Sequence, residues 1–255
     1  MTLNRTQWDE LLVSPDADQR LEDLQVQGVI RSVFPVLQSL VGFGGGDTGH
    51  KDLWAHTKRV VIQTIPQVIP RWCALFHDIG KPQAFLRIDG EVTFRHHEAV
   101  SAKLFRQVAR ETKLFTADET AEISFVINYL GHVEAYEPEW TDSAVRRLDR
   151  ELGQHLDTLF AVARADCTTK HADKRRRQLQ ATYDLKRRVL ALRAQDAVPP
   201  ALPSGLGDVL MARLGLRPGK ELGQLLAGLR ARVEAGELPR NAEAGVYLDA
   251  LKPPV

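Results

Sequence analysis

Apolar residues recur along this chain at three- and four-residue spacing, interrupted by short runs of Gly, Pro, Asp and Ser. That is the pattern of helices joined by turns. Ser14-Pro15 predicts a helix start, with Ser as N-cap, Pro at the first helical position, and Leu21 and Leu24 on the apolar side. Val29, Ile30, Val33, Phe34, Leu37, Leu40 and Val41 continue at helical spacing, with a kink expected at Pro35. The glycine cluster from Gly42 to Gly49 ends this segment. It lacks the Gly-Lys-Ser/Thr ending of a phosphate-binding loop and follows no strand, so it reads as a flexible connector. Asp52 opens the next helix, in which Leu53, His56, Thr57, Val60 and Thr64 share one face, turning His56 inward.

Trp72, Leu75, Phe76 and Ile79 follow at i, i+3, i+4 and i+7, a core-facing stripe with His77 and Asp78 inside it. Gly80 and Pro82 are expected to stop that helix. The stretch from Phe85 to Phe94 reads as a short hairpin turning at Asp89-Gly90, the best strand candidate in the chain. Arg95-His96-His97-Glu98 then begins a helix through Val100, Leu104 and Val108. Thr116 and Glu119 have capping-box spacing ahead of Ile123, Val126, Ile127 and Leu130, with Gly131 placed to end that helix and His132 just beyond. Helices with Val145, Leu148 and Leu152, then Leu156, Leu159, Phe160 and Ala163, lead to Asp166. A basic helix runs from Lys170 to Arg193. After the Pro-rich linker from Val198 to Gly205, two more helices are carried by Leu206–Leu214 and Leu222–Val233, with a turn from Gly215 to Gly219 between them. The fold class is therefore all-α with one small β-hairpin.

Composition narrows the chemistry. The chain has 255 residues, 44% of them hydrophobic, enough for a sizeable core. The net charge of +1 excludes a global field that would draw the chain to nucleic acid, so any such attraction must be local. The local candidate is the basic helix, where Lys174, Arg175, Arg176 and Arg177 form a run that reads either as a solvated face or as a phosphate-backbone strip. Cys73 and Cys167 are the only cysteines and form no CxxC, which argues against a disulfide framework or a zinc knuckle and suits a reducing compartment. With no apolar signal region and no membrane-length apolar run, the expectation is a soluble cytoplasmic protein without a membrane partner. Neither a Ser nor a Cys stands in a catalytic-looking arrangement.

His56, His77, Asp78 and Asp166 come from separated helices at positions that turn inward. Nitrogen and carboxylate ligands in this mix suit a divalent ion such as Mn, Fe, Co, Ni, Mg or Zn. His97 and His132 stand at a predicted helix start and helix end, where they can hold a second ion or meet a substrate phosphate.

The order His56, His77-Asp78, Asp166 resembles the HD superfamily of metal-dependent phosphohydrolases. Asp52-Leu53-Trp54-Ala55-His56-Thr57, Ala74-Leu75-Phe76-His77-Asp78-Ile79-Gly80-Lys81-Pro82, Phe94-Arg95-His96-His97-Glu98 and Ala163-Arg164-Ala165-Asp166 further resemble the HD domain of bacterial CCA-adding enzymes and related poly(A) polymerases. The segments from Leu11 to Asp16, Ser204 to Met211 and Leu216 to Gly223 resemble the helical regions flanking it there, so the likeness covers nearly the whole chain. The implied architecture is an HD-type helical bundle: an N-terminal helical region over 1–50, an HD domain over 51–196 and a C-terminal helical region over 197–255. Those enzymes begin with a nucleotidyltransferase head that this sequence does not contain, so CCA addition by this polypeptide is not expected. The Gly-Tyr-Pro element of cyclic-di-GMP hydrolases is absent. Lys81 stands where some nucleotidase-like and alarmone-hydrolase members carry an acidic residue.

The resemblance implies hydrolysis of phosphoesters by metal-activated water, on nucleotides or RNA ends. One or two divalent ions are expected on His56, His77, Asp78 and Asp166, with His97 and His132 as further ligands. Asp78, Lys81, His97 and His132 are the expected catalytic groups. Arg95, Lys174, Arg175, Arg176 and Arg177 are the expected phosphate or RNA contacts. Two other readings stand beside this one. In the first, the chain is an RNA- or tRNA-binding module with a structural metal, partnering a separate nucleotidyltransferase. In the second, it is a mononucleotide phosphatase that never meets RNA. The sequence sets no oligomeric state.

Overall fold

The computed structural model describes residues 3–44, 52–88, 91–169 and 171–251. The glycine cluster beyond Gly44, His50, the Asp89-Gly90 turn and Lys170 lie outside the described residues. Contacts divide the chain into two compact units, Met1–Leu190 and Ala191–Val255.

The first unit begins with α1 (Arg5–Val13), capped by Asn4, whose side chain accepts from the Gln7 amide while the Gln7 side chain accepts from the Asn4 amide. Ser14 ends this helix rather than starting the next, and its hydroxyl donates to the Leu11 carbonyl. The next helix, α2 (Ala17–Val26), starts two residues later than the Ser-Pro signal predicts, with Leu21 and Leu24 buried. At Pro35 the expected kink is a full break, separating α3 (Val29–Val33) from α4 (Pro35–Gln38). Proline cannot donate its missing N–H inside a helix, but at a first position it loses nothing.

Next come α5 (Leu53–Gln63), capped by Asp52, and α6 (Val68–Phe76). The helical stripe ends one residue before His77. His77 to Gly80 form a turn, and Pro82 sits in the first turn of a short new helix, α7 (Lys81–Ala84), rather than stopping an old one. Strands β1 (Leu86–Ile88) and β2 (Glu91–Thr93) pair antiparallel with Ile88 opposite Glu91. They form the only sheet among the described residues.

Helices α8 (His97–Thr112) and α9 (Ala117–Glu134) pack on each other, and α9 carries the expected Thr116–Glu119 capping box. Gly131 does not end α9; the helix runs on to Glu134. The glycine instead faces the Glu98 side chain, whose flexible end, Oε1, would lie 2.8 Å from a Cβ there. Helix α10 (Asp142–Leu152) and the 3₁₀ turn Gly153–His155 lead into α11 (Leu156–Asp166), which packs on α5, α6 and α9. The basic helix is α12 (Ala172–Ala197).

An aromatic cluster fills the centre. Trp8, Phe34, Trp72, Phe76 and Phe105 are buried, and Trp72 stacks on Phe76 with ring centres 5.8 Å apart. Burying large rings of this kind supplies most of the packing energy of a small helical unit. Arg71 is buried too, and its guanidinium donates to the carbonyls of Thr64 at 2.7 Å and Leu12 at 2.9 Å. It thereby ties the α5–α6 loop to α1. Helices α5, α6 and α11 are thus held around one point, where His56, His77 and Asp166 meet.

In the second unit, α13 (Leu206–Leu214), α14 (Lys220–Glu234) and α15 (Ala244–Asp249) enclose a small core of Leu206, Leu210, Leu229, Val233 and Tyr247. The Tyr247 hydroxyl donates to the Pro239 carbonyl at 2.7 Å and accepts from the Ala242 amide.

Candidate metal centre

His56 projects from the buried face of α5, His77 and Asp78 from the turn after α6, and Asp166 from the last residue of α11. The ligand atoms of His56, His77 and Asp166 all lie within 4.8 Å of one another. His56 Nε2 is 2.9 Å from Asp166 Oδ1 and 3.3 Å from Asp78 Oδ2, and His77 Nε2 is 3.2 Å from that same Asp78 oxygen.

The close approaches are not matched by hydrogen bonds. His77 Nε2, Asp78 Oδ1 and Asp166 Oδ1 are buried and have no hydrogen-bond partner. Buried polar atoms left this way cost free energy unless something else satisfies them. The imidazoles are held from behind: His77 Nδ1 lies 2.8 Å from the Ala74 carbonyl, which only an Nδ1–H can satisfy, so in the neutral ring Nε2 carries the lone pair. His56 Nδ1 lies 3.0 Å from Thr168 Oγ1. A lone-pair nitrogen among carboxylate oxygens, fixed from its other ring nitrogen, is the arrangement of a metal ligand. The donor set fits a divalent cation, with His56, His77, Asp78 and Asp166 as its holders.

The charges of the site point the same way. Burial pushes the Asp78 carboxyl up, but His77, Lys81 and His56 outweigh it and hold Asp78 well below the usual carboxylate range. Asp166 is likewise lowered, with the close approach of His56 and the charge of His77 overcoming burial. Burial pulls His56 down, but Asp166 and Asp78 together raise it above its ordinary value. Two carboxylates enclosed together demand positive charge. Protons on histidine or a metal ion can meet that demand, and ion binding would release the proton.

Lys81, at the start of α7, reaches back to Asp78 Oδ2 at 2.6 Å. It pairs with a carboxylate of the site instead of merely facing a helix end. His97 stands at the start of α8 with Nε2 3.3 Å from Asp78 Oδ1 and Nδ1 3.0 Å from the Phe94 carbonyl. Gly80 makes this approach possible: a Cβ there would lie 2.5 Å from the His97 carbonyl oxygen and 2.6 Å from the Ser101 amide nitrogen. The Gly80 amide instead donates to Ser101 Oγ at 2.8 Å.

His132 is exposed in the last turn of α9, its ring 4.8 Å from that of Tyr129, and it lines a neighbouring cavity with His96, Glu98 and Trp140. Arg95 is exposed ahead of α8. Of the basic run, Lys174 and Arg177 line a cleft of about 560 Å³ that has Asp166, Glu134 and Thr169 in its wall, while Arg176 pairs with Asp173 and Arg175 is exposed.

Sequence reasoning missed Glu134, Thr168 and the structural use of Gly80. Glu134 is exposed overall, yet its carboxyl is enclosed beside Asp166. That enclosure, with the Asp166 charge and hydrogen bond added, holds it well above the usual carboxylate range. No local pattern links Glu134 to Asp166 or Thr168 to His56, because the partners stand far apart in the chain.

The HD domain family matches residues 67–159, a span that holds His77, Asp78, Lys81, His97 and His132, with His56 and Asp166 on either side. Residues 67–159 are thus similar to the HD domain, within a helical fold that has a single hairpin among its described residues. It is also related in sequence to tRNA nucleotidyltransferases. It is 29% identical over 253 residues to the A-adding tRNA nucleotidyltransferase of Deinococcus radiodurans, covering 96% of this chain and 57% of that protein. It is 28% identical over 246 residues to the CC-adding tRNA nucleotidyltransferase of Thermus thermophilus, covering 93% of this chain and 54% of that one. The chain therefore spans little more than half the length of these relatives. No helix among the described residues is long and apolar enough to cross a membrane.

Proposed function

We propose that this chain is a metal-dependent phosphohydrolase that cleaves phosphoester bonds of nucleotides or RNA ends, of the 2',3'-cyclic phosphodiesterase or phosphatase type. The observation that carries the reading is the convergence of His56, His77, Asp78 and Asp166 with buried, unpartnered ligand atoms. His56, His77, Asp78 and Asp166 would hold a divalent ion, which would supply a nucleophilic water near neutral pH. Asp78, fixed between Lys81 and His97, orients the attacking water through its carboxylate. Lys81 neutralises charge as it develops on the phosphoryl oxygens. His97, part-exposed where Asp78 is not, is the group placed to give a proton to the leaving oxygen. Lys174 and Arg177, beside Asp166 in the adjoining cleft, support contact with flanking phosphates. The basic face of α12 and the tRNA-directed names of the relatives favour an RNA end over a free nucleotide.

The deciding experiment loads the purified protein separately with Mn, Ni, Co and Mg. It then offers a 2',3'-cyclic nucleotide, the 2'-, 3'- and 5'-monophosphates, and an RNA ending in a cyclic phosphate. Cleavage that disappears in His77→Ala/Asp78→Ala supports the proposal; no cleavage of any of them by any loaded form refutes it.

The same observations of α12 and of the relatives favour a second reading, in which the chain binds RNA or tRNA, its metal is structural, and it partners a nucleotidyltransferase. In that case the double variant would keep its RNA affinity, and the wild type would cleave nothing.

A further inference from the structure

Two groups close on Asp78 from outside the histidine pair, and one residue touches both. Lys81 Nζ lies 2.6 Å from Asp78 Oδ2, and His97 Nε2 lies 3.3 Å from Asp78 Oδ1. The ring centre of Phe94 lies 5.9 Å from the Lys81 ammonium. The Phe94 carbonyl accepts from the His97 amide at 3.1 Å and lies 3.0 Å from His97 Nδ1.

The hairpin brings these residues together. Lys81 opens α7 ahead of it, and Phe94 follows β2. Leu86 pairs with Thr93, so Phe85 and Phe94 stand just outside that pair, with their rings 5.9 Å apart. Phe43 packs on both, at 5.7 Å from Phe85 and 6.5 Å from Phe94. Register decides which side chain arrives beside Lys81, because a slip of one residue reverses the faces.

The two contacts of Phe94 differ in kind. An aromatic face attracts an ammonium through its quadrupole while carrying no charge of its own. A carboxylate in the same place would hold Lys81 but also neutralise it. The ring holds the ammonium, whose side chain is only 16% exposed, and adds no second negative charge to that of Asp78. The positive charge therefore stays available to the phosphoryl oxygens. The carbonyl acts on His97. It only accepts, so the Nδ1 that faces it carries a hydrogen, and Glu98 Oε2, 3.3 Å from the same nitrogen, is an acceptor too. That turns His97 Nε2 towards Asp78 Oδ1, a buried oxygen without a hydrogen-bond partner.

We propose that Phe94 is a positioning residue of the metal centre, whose ring sets the Lys81 ammonium and whose carbonyl sets the His97 imidazole on the two oxygens of Asp78. This deepens the phosphohydrolase reading and rests on it for the reaction that Lys81 and His97 serve. It also gives the hairpin a purpose: it returns the chain so that residue 94 lies beside residue 81. Phe85 supplies the comparison. It shares the ring cluster with Phe43 and Phe94 but makes no cation–π contact or hydrogen bond to Lys81 or His97 among the described residues.

The test compares Phe94→Leu, Phe94→Tyr and Phe85→Leu in the intact chain saturated with Mn, using p-nitrophenyl phosphate and 2',3'-cyclic AMP. Phe94→Leu should lower kcat by about three- to thirtyfold, the range for a cation–π contact to a partly desolvated ammonium. KM should change little, because the charge that Lys81 offsets develops in the transition state. Phe94→Tyr keeps the aromatic face and should recover most of the loss. Phe85→Leu removes similar packing and should lower kcat by less than about twofold, since it leaves that contact in place. Orthovanadate, whose five-coordinate form imitates a phosphoryl group in transfer, is titrated by calorimetry on the same proteins. Its affinity should fall in Phe94→Leu by the same factor as kcat and hold in Phe85→Leu.

Equal losses in the two leucine variants, a change confined to KM, or no recovery in Phe94→Tyr would overturn the proposal. The two ideas fail separately. Cleavage by the wild type with equal losses in both leucine variants removes the positioning role alone. No cleavage by the wild type, with vanadate affinity falling only in Phe94→Leu, removes the phosphohydrolase alone. Neither cleavage nor vanadate binding removes both.

Discussion

Lys81 Nζ lies 2.6 Å from Asp78 Oδ2, the same oxygen towards which the Nε2 atoms of His56 and His77 point. The lysine and a bound cation therefore act on one carboxylate. Replacing Lys81 with Gln removes a positive charge next to the site, so a divalent ion should bind more tightly, by at least about tenfold even with the screening of bulk water. Phosphoester turnover should fall at the same time, because the charge that offsets the phosphoryl oxygens is gone. Metal titration by calorimetry and steady-state kinetics on the same variant check both directions. Weaker metal binding in Lys81→Gln would mean that the lysine mainly holds Asp78 in place.

Gly80 is the contact point between the His77–Gly80 turn and the start of α8. A methyl group there meets backbone atoms, not flexible side-chain ends, so the turn itself has to move. Gly80→Ala should cost about 1–3 kcal/mol, the range for overpacking a dense site, and should displace Asp78 from His97. Urea unfolding measures the first effect and metal affinity the second. An unchanged midpoint together with unchanged metal affinity would show that the turn has room to spare.

A cation that binds only the folded chain stabilises it by mass action. At about a hundredfold excess over Kd the gain is about 2.7 kcal/mol, and chelation should remove it. Thermal unfolding with and without a chelator reads this directly as a drop of several degrees. Asp166→Ala should show no difference between the two conditions, since it lacks one of the converging ligands.

The α1–α9 tie gives a pH dependence away from the metal. Arg5 pairs with Glu119 at 2.7 Å, and the Glu119 side chain also accepts from the Thr116 amide. The Arg5 hydrogen bond, with the cap contact added, holds the Glu119 carboxyl below its ordinary value of 4.5. A carboxyl lowered on folding contributes stability that is fully present above its unfolded value and lost as pH falls through its folded one. Stability of the first unit should therefore fall on acidification below about pH 4.5, partly through this group. Glu119→Gln should flatten that part of the profile and cost roughly 1 kcal/mol at pH 7 through the lost ion pair and weakened cap. Chemical unfolding of both proteins between pH 3 and 7 is the measurement. Parallel profiles would show that other carboxylates carry the whole effect.

Much of the fold and part of the site are legible in the residue pattern, and the misses share one cause. Helical spacing identifies α5, α8, α9, α11 and α12, because each buries one face and that face has a period. The stretch from Phe85 to Phe94 correctly holds the paired strands Leu86–Ile88 and Glu91–Thr93. Ser14 and Gly131 mislead because the same residue type serves two purposes: a serine can start a helix or end one, and a glycine can end a helix or let another side chain in against it. At His77-Asp78 the apolar stripe runs on to Ile79 while the backbone has already left the helix, since burial continues through the turn.

By itself, then, the sequence determined the helical class, the periodic faces that turn His56 and the His77-Asp78 pair inward, and the likeness of these residues to the HD pattern. Those are properties of neighbours along the chain. Tertiary structure alone decided that His56, His77, Asp78 and Asp166 share one point with unpartnered atoms, that Lys81 and His97 close on Asp78 while His132 faces another cavity, and that Glu134 stands beside Asp166. Which side chains meet depends on how closely elements far apart in the chain approach, as where Gly80 lies against the backbone of His97 and Ser101.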